Sequence, residues 1–170
     1  MAKPRVVTSW DLSVDGVGFL GKAESIQLPE VEEITEEIRG CGTNGPMKIP
    51  MGMKLGDCTL KSLEMTPLFY QIFGLSGNAA GLICKAAMRA DMGQEIPLVA
   101  IMHGRFNKVS MDAFEMGKVP RQEAVLSPVR YTLTINNQPA LVVDLENDVW
   151  NLAGGNDLSG GIKNLLGINL

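Results

Sequence analysis

The stretch Arg39–Met53, RGCGTNGPMKIPMGM, constrains the fold more than any other part of the chain. Its four glycines and two prolines rule out regular helix. Within it Met47, Ile49, Met51 and Met53 are apolar at every second position, the period of an extended chain with one face buried, and Lys48, Pro50 and Gly52 fill the other face. Pro50 has no N–H to donate, so the segment belongs at a sheet edge or in an arm, expected over about residues 39–56. Two readings follow. The methionines suit a surface that moulds itself to a partner, or the stretch is a long loop folded back on its own core.

Composition narrows the function classes. A chain of 170 residues, 45% of them hydrophobic, supports one domain, expected to span 1–170. A net charge of −4 argues against a protein that grips nucleic acid, because affinity for phosphates comes from lysine and arginine. Cys41, Cys58 and Cys84 are odd in number and lack C-x-x-C spacing, so free thiols in a reducing compartment are expected. No apolar run has the length of a signal peptide or a membrane span, which points to a soluble, cytosolically made protein.

Along the chain, Trp10, Leu12 and Val14 alternate with polar residues up to Asp15-Gly16, a two-residue hairpin signal whose second strand should run through Ile26 and Leu28 to Pro29. VEEITEEIR places Val31, Ile34 and Ile38 at helical spacing, though it is short and lacks an N-cap. Cys58 to Met65 predicts a strand. After it, Thr66 as cap and Pro67 at the first position predict a helix with Leu68, Phe69, Ile72 and Phe73 on its buried face, ended by Gly74 and Gly77. Leu82 to Ala90 alternates as a half-buried strand and turns at Met92-Gly93-Gln94. Leu98 to Met102 is continuously apolar, as in a strand covered on both faces. Met111 to Arg121 is a polar, glycine-bearing excursion. Val129 to Ile135 alternates strictly and turns at Asn136-Asn137-Gln138 into Leu141, Val143 and Leu145. A short C-terminal helix is expected from Asn156 or Asp157 to Gly167. The sum is a mainly β chain: an antiparallel barrel or sandwich with one flanking α-helix and the short C-terminal helix.

Residues that could carry chemistry are few. Gly16, Gly18 and Gly21 spell G-x-G-x-x-G with Glu36 or Glu37 at a ribose-binding distance, which would suit a small nucleotide-binding enzyme. That fingerprint requires a helix after the third glycine. KAESIQLP alternates instead, and a glycine-rich hairpin rim accounts for the same residues. His103 is the only histidine, which removes histidine-based metal sites and favours a strand histidine at a sheet edge. Glu30, Glu32, Glu33, Glu36 and Glu37 form a solvated acidic face or a negatively charged wall. Trp10, Tyr70, Tyr131 and Trp150 are too scattered to form a base-stacking platform. No catalytic residue, cofactor or metal is expected.

The segments LSVDGVGFLGKAESIQLPEVEEITEEIRG, GCGTNGPMKIPMG, YTLTINNQPALVVDLENDVWN and the final NLLGINL, in this order along essentially the whole chain, resemble the major tail tube proteins of contractile-tailed phages and phage-tail-like bacteriocins. The resemblance implies a β-barrel or sandwich with a flanking helix, six copies of which close into a ring. Rings stack into a hollow rod inside the sheath, through which DNA leaves the capsid. Implied partners are further copies of the chain and the sheath, tape measure and baseplate proteins, and the implied place is the virion, assembled in the bacterial host cytoplasm. By the same resemblance VEEITEEIR is an inner strand, with Glu32, Glu33, Glu36 and Glu37 lining an acidic lumen that DNA passes without sticking. Arg39, Gly40, Asn44 and Gly45 match the family's RG-x-G-x-NG turn, and Ile168 and Leu170 its terminal residues. Met47, Ile49, Met51 and Met53 are assigned to the subunit contact from their periodicity. The prolines of PMKIPMG exceed those of many relatives and stiffen the arm.

Overall fold

The computed structural model describes residues 4–19, 21–40, 44–73, 80–89, 93–153 and 155. The expected C-terminal helix, the terminal Ile168 and Leu170, Cys41, and the glycines 74 and 77 lie outside them. In chain order the elements are β1 (Val6–Val14), β2 (Val17–Gly18), β3 (Ala23–Gln27), β4 (Val31–Ile38), β5 (Met47–Leu55), β6 (Cys58–Ser62), α1 (Leu68–Ile72), β7 (Ala80–Arg89), β8 (Glu95–Met111), β9 (Gln122–Ile135), β10 (Gln138–Asp144) and β11 (Val149–Leu152).

Alternation builds the principal sheet, ordered β11-β10-β9-β8-β7-β1-β2 and antiparallel at each pairing. Partners across the ladder share a face, so the rows Leu12–Cys84–Ala100 and Val14–Leu82–Met102–Tyr131–Val143–Trp150 stack on the inner side. These residues are buried and form the core. The turns are made as the residues require: Asp15-Gly16 and Asn136-Asn137 both have positive φ at each position (49° and 82°, 53° and 59°), the geometry that matches strand twist.

Two strands organise the rest. β9 pairs β8 along its whole length; on its other edge Gln122–Leu126 pairs β6 and Arg130–Ile135 pairs β10. Bulges at Val129 in β9 and Asn107 in β8 bend this long ladder, and Pro128 is tolerated mid-strand beside one of them. At the bend Gly104 lies so close to Ser127 and Pro128 that a Cβ there would collide with backbone. The bend lets α1 dock. The backbone N–H of Thr66 donates to the buried Gln122 Oε1 (3.0 Å), the N–H of Leu68 to Thr66 Oγ1 (3.4 Å), and Phe69 sits between Phe19 and Phe106 with ring centroids 5.5 Å from each.

Several expectations need correction. The strand after Asp15-Gly16 does not run through to Leu28: β2 ends at Gly18, a turn at Gly21 (φ 73°) intervenes, and β3 pairs β6 instead. The strand begun at Cys58 stops at Ser62 rather than Met65, because the Ser62 hydroxyl donates to the Glu64 carbonyl and closes a bend. Phe73 is 45% exposed, since α1 is too short to keep it on the face that buries Phe69. Val99 and Ile101 are half-buried on the outer face, so β8 is not covered on both sides. His103 is not at a sheet edge but between Gly81 of β7 and Arg130 of β9. VEEITEEI is a strand, and its helical spacing of Ile34 and Ile38 is overridden by pairing with β5.

Candidate assembly surface

Among the described residues no catalytic arrangement emerges. Gly21 leads into a strand rather than a helix, so the glycine fingerprint has no helix N-terminus to offer a pyrophosphate. Cys58 and Cys84 are buried free thiols, and burial, with Cys84 and Asp57 adding to it, pushes the Cys58 thiol up to about 12, which makes it inert as a nucleophile. Among the described residues no group of three or more His, Cys, Asp or Glu side chains could hold a metal ion.

What the fold does present is a two-stranded ribbon. Among the described residues β4 and β5 pair only with each other, in register Val31↔Leu55 to Ile38↔Met47, and belong to no larger sheet. The expected arm is the returning half of this ribbon. Pro50 sits on β5, whose second edge carries no strand among the described residues, as its missing N–H requires. Arg39 and Gly40 follow β4 and Asn44-Gly45 precedes β5; all are exposed at the ribbon's end.

A bulge divides the ribbon's chemistry. Ile34 pairs Gly52 and Thr35 pairs Pro50, leaving Met51 as the extra residue and Gly52 at φ 150°, a conformation that favours glycine. The periodic set Met47, Ile49, Met51 and Met53 therefore does not share one face. Met53 lies at the ribbon's base with Val31 and Leu55, and all three pack against the core. Met47 and Ile49 pair Ile38 and Glu36 on the opposite face, where Ile34, Ile38, Met47 and Ile49 are exposed, Met47 by 65%, while Met51 in the bulge is 62% exposed.

The glutamates divide in the same way. Glu33 and Glu37 alternate onto the face of Thr35 and Lys48, Glu32 and Glu36 onto that of Ile34 and Ile38. Glu37 pairs Lys48 at 3.8 Å and Glu32 pairs Lys54 at 3.9 Å, all four well exposed. Such exposed pairs contribute at most about 1 kcal/mol. Covering one Ile or Met contributes roughly 1.5–3 kcal/mol. The apolar positions, not the ion pairs, thus decide what the ribbon needs.

A second apolar surface was not legible as one. The excursion between β8 and β9 exposes Phe114, Met116 and Val119, with Met116 fully open. These three residues carry no period, and only their unusual size in a loop could have signalled them.

The comparisons with known proteins agree with this geometry. The family described as phage tail tube protein FII matches residues 4–167. The chain is 23% identical over 159 residues to the tail tube protein of Escherichia phage P2, covering 91% of this chain and 92% of that one. It is 23% identical over 169 residues to the major tail tube protein of Serratia phage KSP20, covering 99% of each. A chain in the six-fold symmetrised cryo-EM structure of the anti-feeding prophage baseplate superposes with a TM-score of 0.60 at 12% identity, over 78% of this chain and 97% of that one, a likeness of fold. With a family match that spans nearly its whole length, this chain belongs to the phage tail tube protein family and is a structural tail tube subunit, not an enzyme.

Proposed function

We propose that copies of this chain close into hexameric rings that stack into the hollow inner tube of a contractile tail, through which viral DNA is ejected into the host. The observation that carries the reading is the ribbon, a two-stranded extension whose Ile34, Ile38, Met47, Ile49 and Met51 are exposed and left uncovered by the other described residues. Neighbouring copies supply the cover, and a head-to-tail contact repeated along the axis gives a filament. Arg39, Gly40, Asn44 and Gly45 set the turn of the ribbon, Met53 its base, and Ile168 and Leu170 dock at subunit contacts.

Of the four glutamates expected in the lumen, Glu33 and Glu37 lie on the face opposite the covered apolar one and contribute negative charge there, which repels DNA as it passes, whereas Glu32 and Glu36 share the face that neighbours cover. The sheath surrounds the tube, the tape measure occupies it before ejection, and the baseplate seats its end; the whole is a virion part assembled in the host cytoplasm. The likeness to an anti-feeding prophage component favours a second setting, the tube of a contractile bacteriocin or injection system, built by the same contacts.

Negative-stain microscopy of the concentrated protein tests the reading. Annuli or hollow rods are expected, and a chain that stays solitary at millimolar concentration contradicts it. A packaged genome in particles bearing these tubes separates the virion from the bacteriocin.

A further inference from the structure

We propose that an apolar groove at the open end of the principal sheet's inner face is the seat of this chain's own residues 156–166, with Leu158, Ile162, Leu165 and Leu166 packed into it. The docking goes beyond the tube reading and does not depend on it.

The core closes over one row of the sheet and stays open over the next. Leu12, Cys84, Ala100 and Leu141 are buried in β1, β7, β8 and β10. Two residues further along the strands the same face carries Trp10, Ala86, Leu98 and Ile135, paired in that order across β1, β7, β8 and β9, and all four are only half-buried. Trp10, Ala86 and Leu98, with Ile26 of β3 and Leu28 after it, line a groove of about 330 Å³. Its one charged lining group, Glu24, is already paired with Arg121 at 2.7 Å. The groove therefore suits an apolar occupant.

The chain itself arrives at this end. β11 runs from Val149 beside Asp144 to Leu152 beside Leu141, so it leaves the sheet heading for the row of Ile135 and Trp10. A turn ends the strand there: the N–H of Ala153 (φ 52°) donates to the Ala140 carbonyl at 2.7 Å and that of Gly155 to the Leu152 carbonyl at 3.0 Å. Leu152, on the inner face beside the buried Leu141, is still 38% exposed, so cover is missing at the exit as well. Beyond the described residues, 156–170 place Leu158, Ile162, Leu165 and Leu166 at the spacing of one helix face. A helix over 156–167 is about 18 Å long, which matches the four strand spacings of about 4.8 Å from β11 to β7. A segment tethered beside its seat acts at an effective concentration on the order of millimolar, an advantage that a neighbour's segment lacks. Ile168 and Leu170 then lie past the seated stretch, available for the subunit contacts assigned to them.

Methyl NMR of the dispersed chain tests the docking. Leu165 and Leu166 methyl groups should show nuclear Overhauser cross-peaks to the Trp10 indole and to the Ala86 and Leu98 methyls. Mixing copies labelled only on methyls with copies labelled only on tryptophan should remove the cross-peaks to Trp10, because donor and acceptor belong to one chain. Leu165→Asp with Leu166→Asp should abolish the cross-peaks and shift the Trp10 indole signal while leaving that of the core Trp150 in place; Lys163→Glu, off the apolar stripe, should change neither. Absence of cross-peaks between the segment and the groove in the unmodified chain would overturn the docking, whether or not the double variant folds. Cross-peaks that survive in the mixed sample would overturn it in favour of a second copy's segment. Rings and tubes do not enter this readout, so failure of the tube reading is seen separately under the microscope.

Discussion

The principal sheet and the β4–β5 ribbon follow one rule and end differently. In the sheet the inward residues of β1, β7, β8 and β9 meet each other and α1, so Leu82, Met102 and Leu126 are fully buried. In the ribbon the same alternation holds, yet Ile34 at the bulge and Ile38, Met47 and Ile49 beyond it face outward. Side chains that could each contribute roughly 1.5–3 kcal/mol on burial are left in water. A single chain thus closes one core and presents the unfinished margin of another, which is what a subunit needs if folding is to precede assembly.

The largest expected effect breaks the body and spares nothing. Gly104→Ala places a Cβ against the backbone of Ser127 and Pro128, and neither can retreat without opening the β8–β9 ladder. Expression should yield unfolded or aggregated protein, measured by circular dichroism. A native spectrum with an unchanged melting temperature would show that the bend is not a fixed part of the fold.

The next effect separates the two regions. Met47→Asp and Met51→Asp, made singly at exposed positions, should move the melting free energy of the dispersed chain by no more than about 0.5 kcal/mol and abolish rods under the microscope. Rods of normal length from either variant would remove the ribbon from the contact.

The last effect is confined to the body and depends on pH. Burial pushes Cys58, with an ordinary value of 9.0, and Tyr131, with an ordinary value of 10.0, both up to about 12. A group whose value is raised by folding stabilises fully below its unfolded value and loses that contribution as pH climbs through the folded one. Stability measured by denaturant titration should therefore be steady up to about pH 9 and fall toward pH 12. Cys58→Val should flatten the lower part of that fall. A decline beginning near neutrality would point to other groups.

Much of this was legible in the residues. Strict alternation from Val129 to Ile135 and the pair Asn136-Asn137 specified a hairpin, and Pro50 specified an open edge. The face assignment of the methionines was not legible, because an alternating pattern gives no sign of a bulge except the glycine beside it, and Gly52 has several other uses. The extent of β8 was hidden by Gly104 and the polar residues after it, which belong to a bent strand that only β9 explains. The departure of β3 to pair β6 follows from the turn at Gly21, a long-range outcome that no local period records.

Oxidative footprinting of the methionines tests the central claim most directly. In the dispersed chain Met47 and Met51 should oxidise readily and the buried Met102 should not; in assembled tubes Met47 and Met51 should become as resistant as Met102. Equal reactivity of Met47 and Met51 in the two states would contradict the account, because the ribbon's apolar face would then remain in water after assembly.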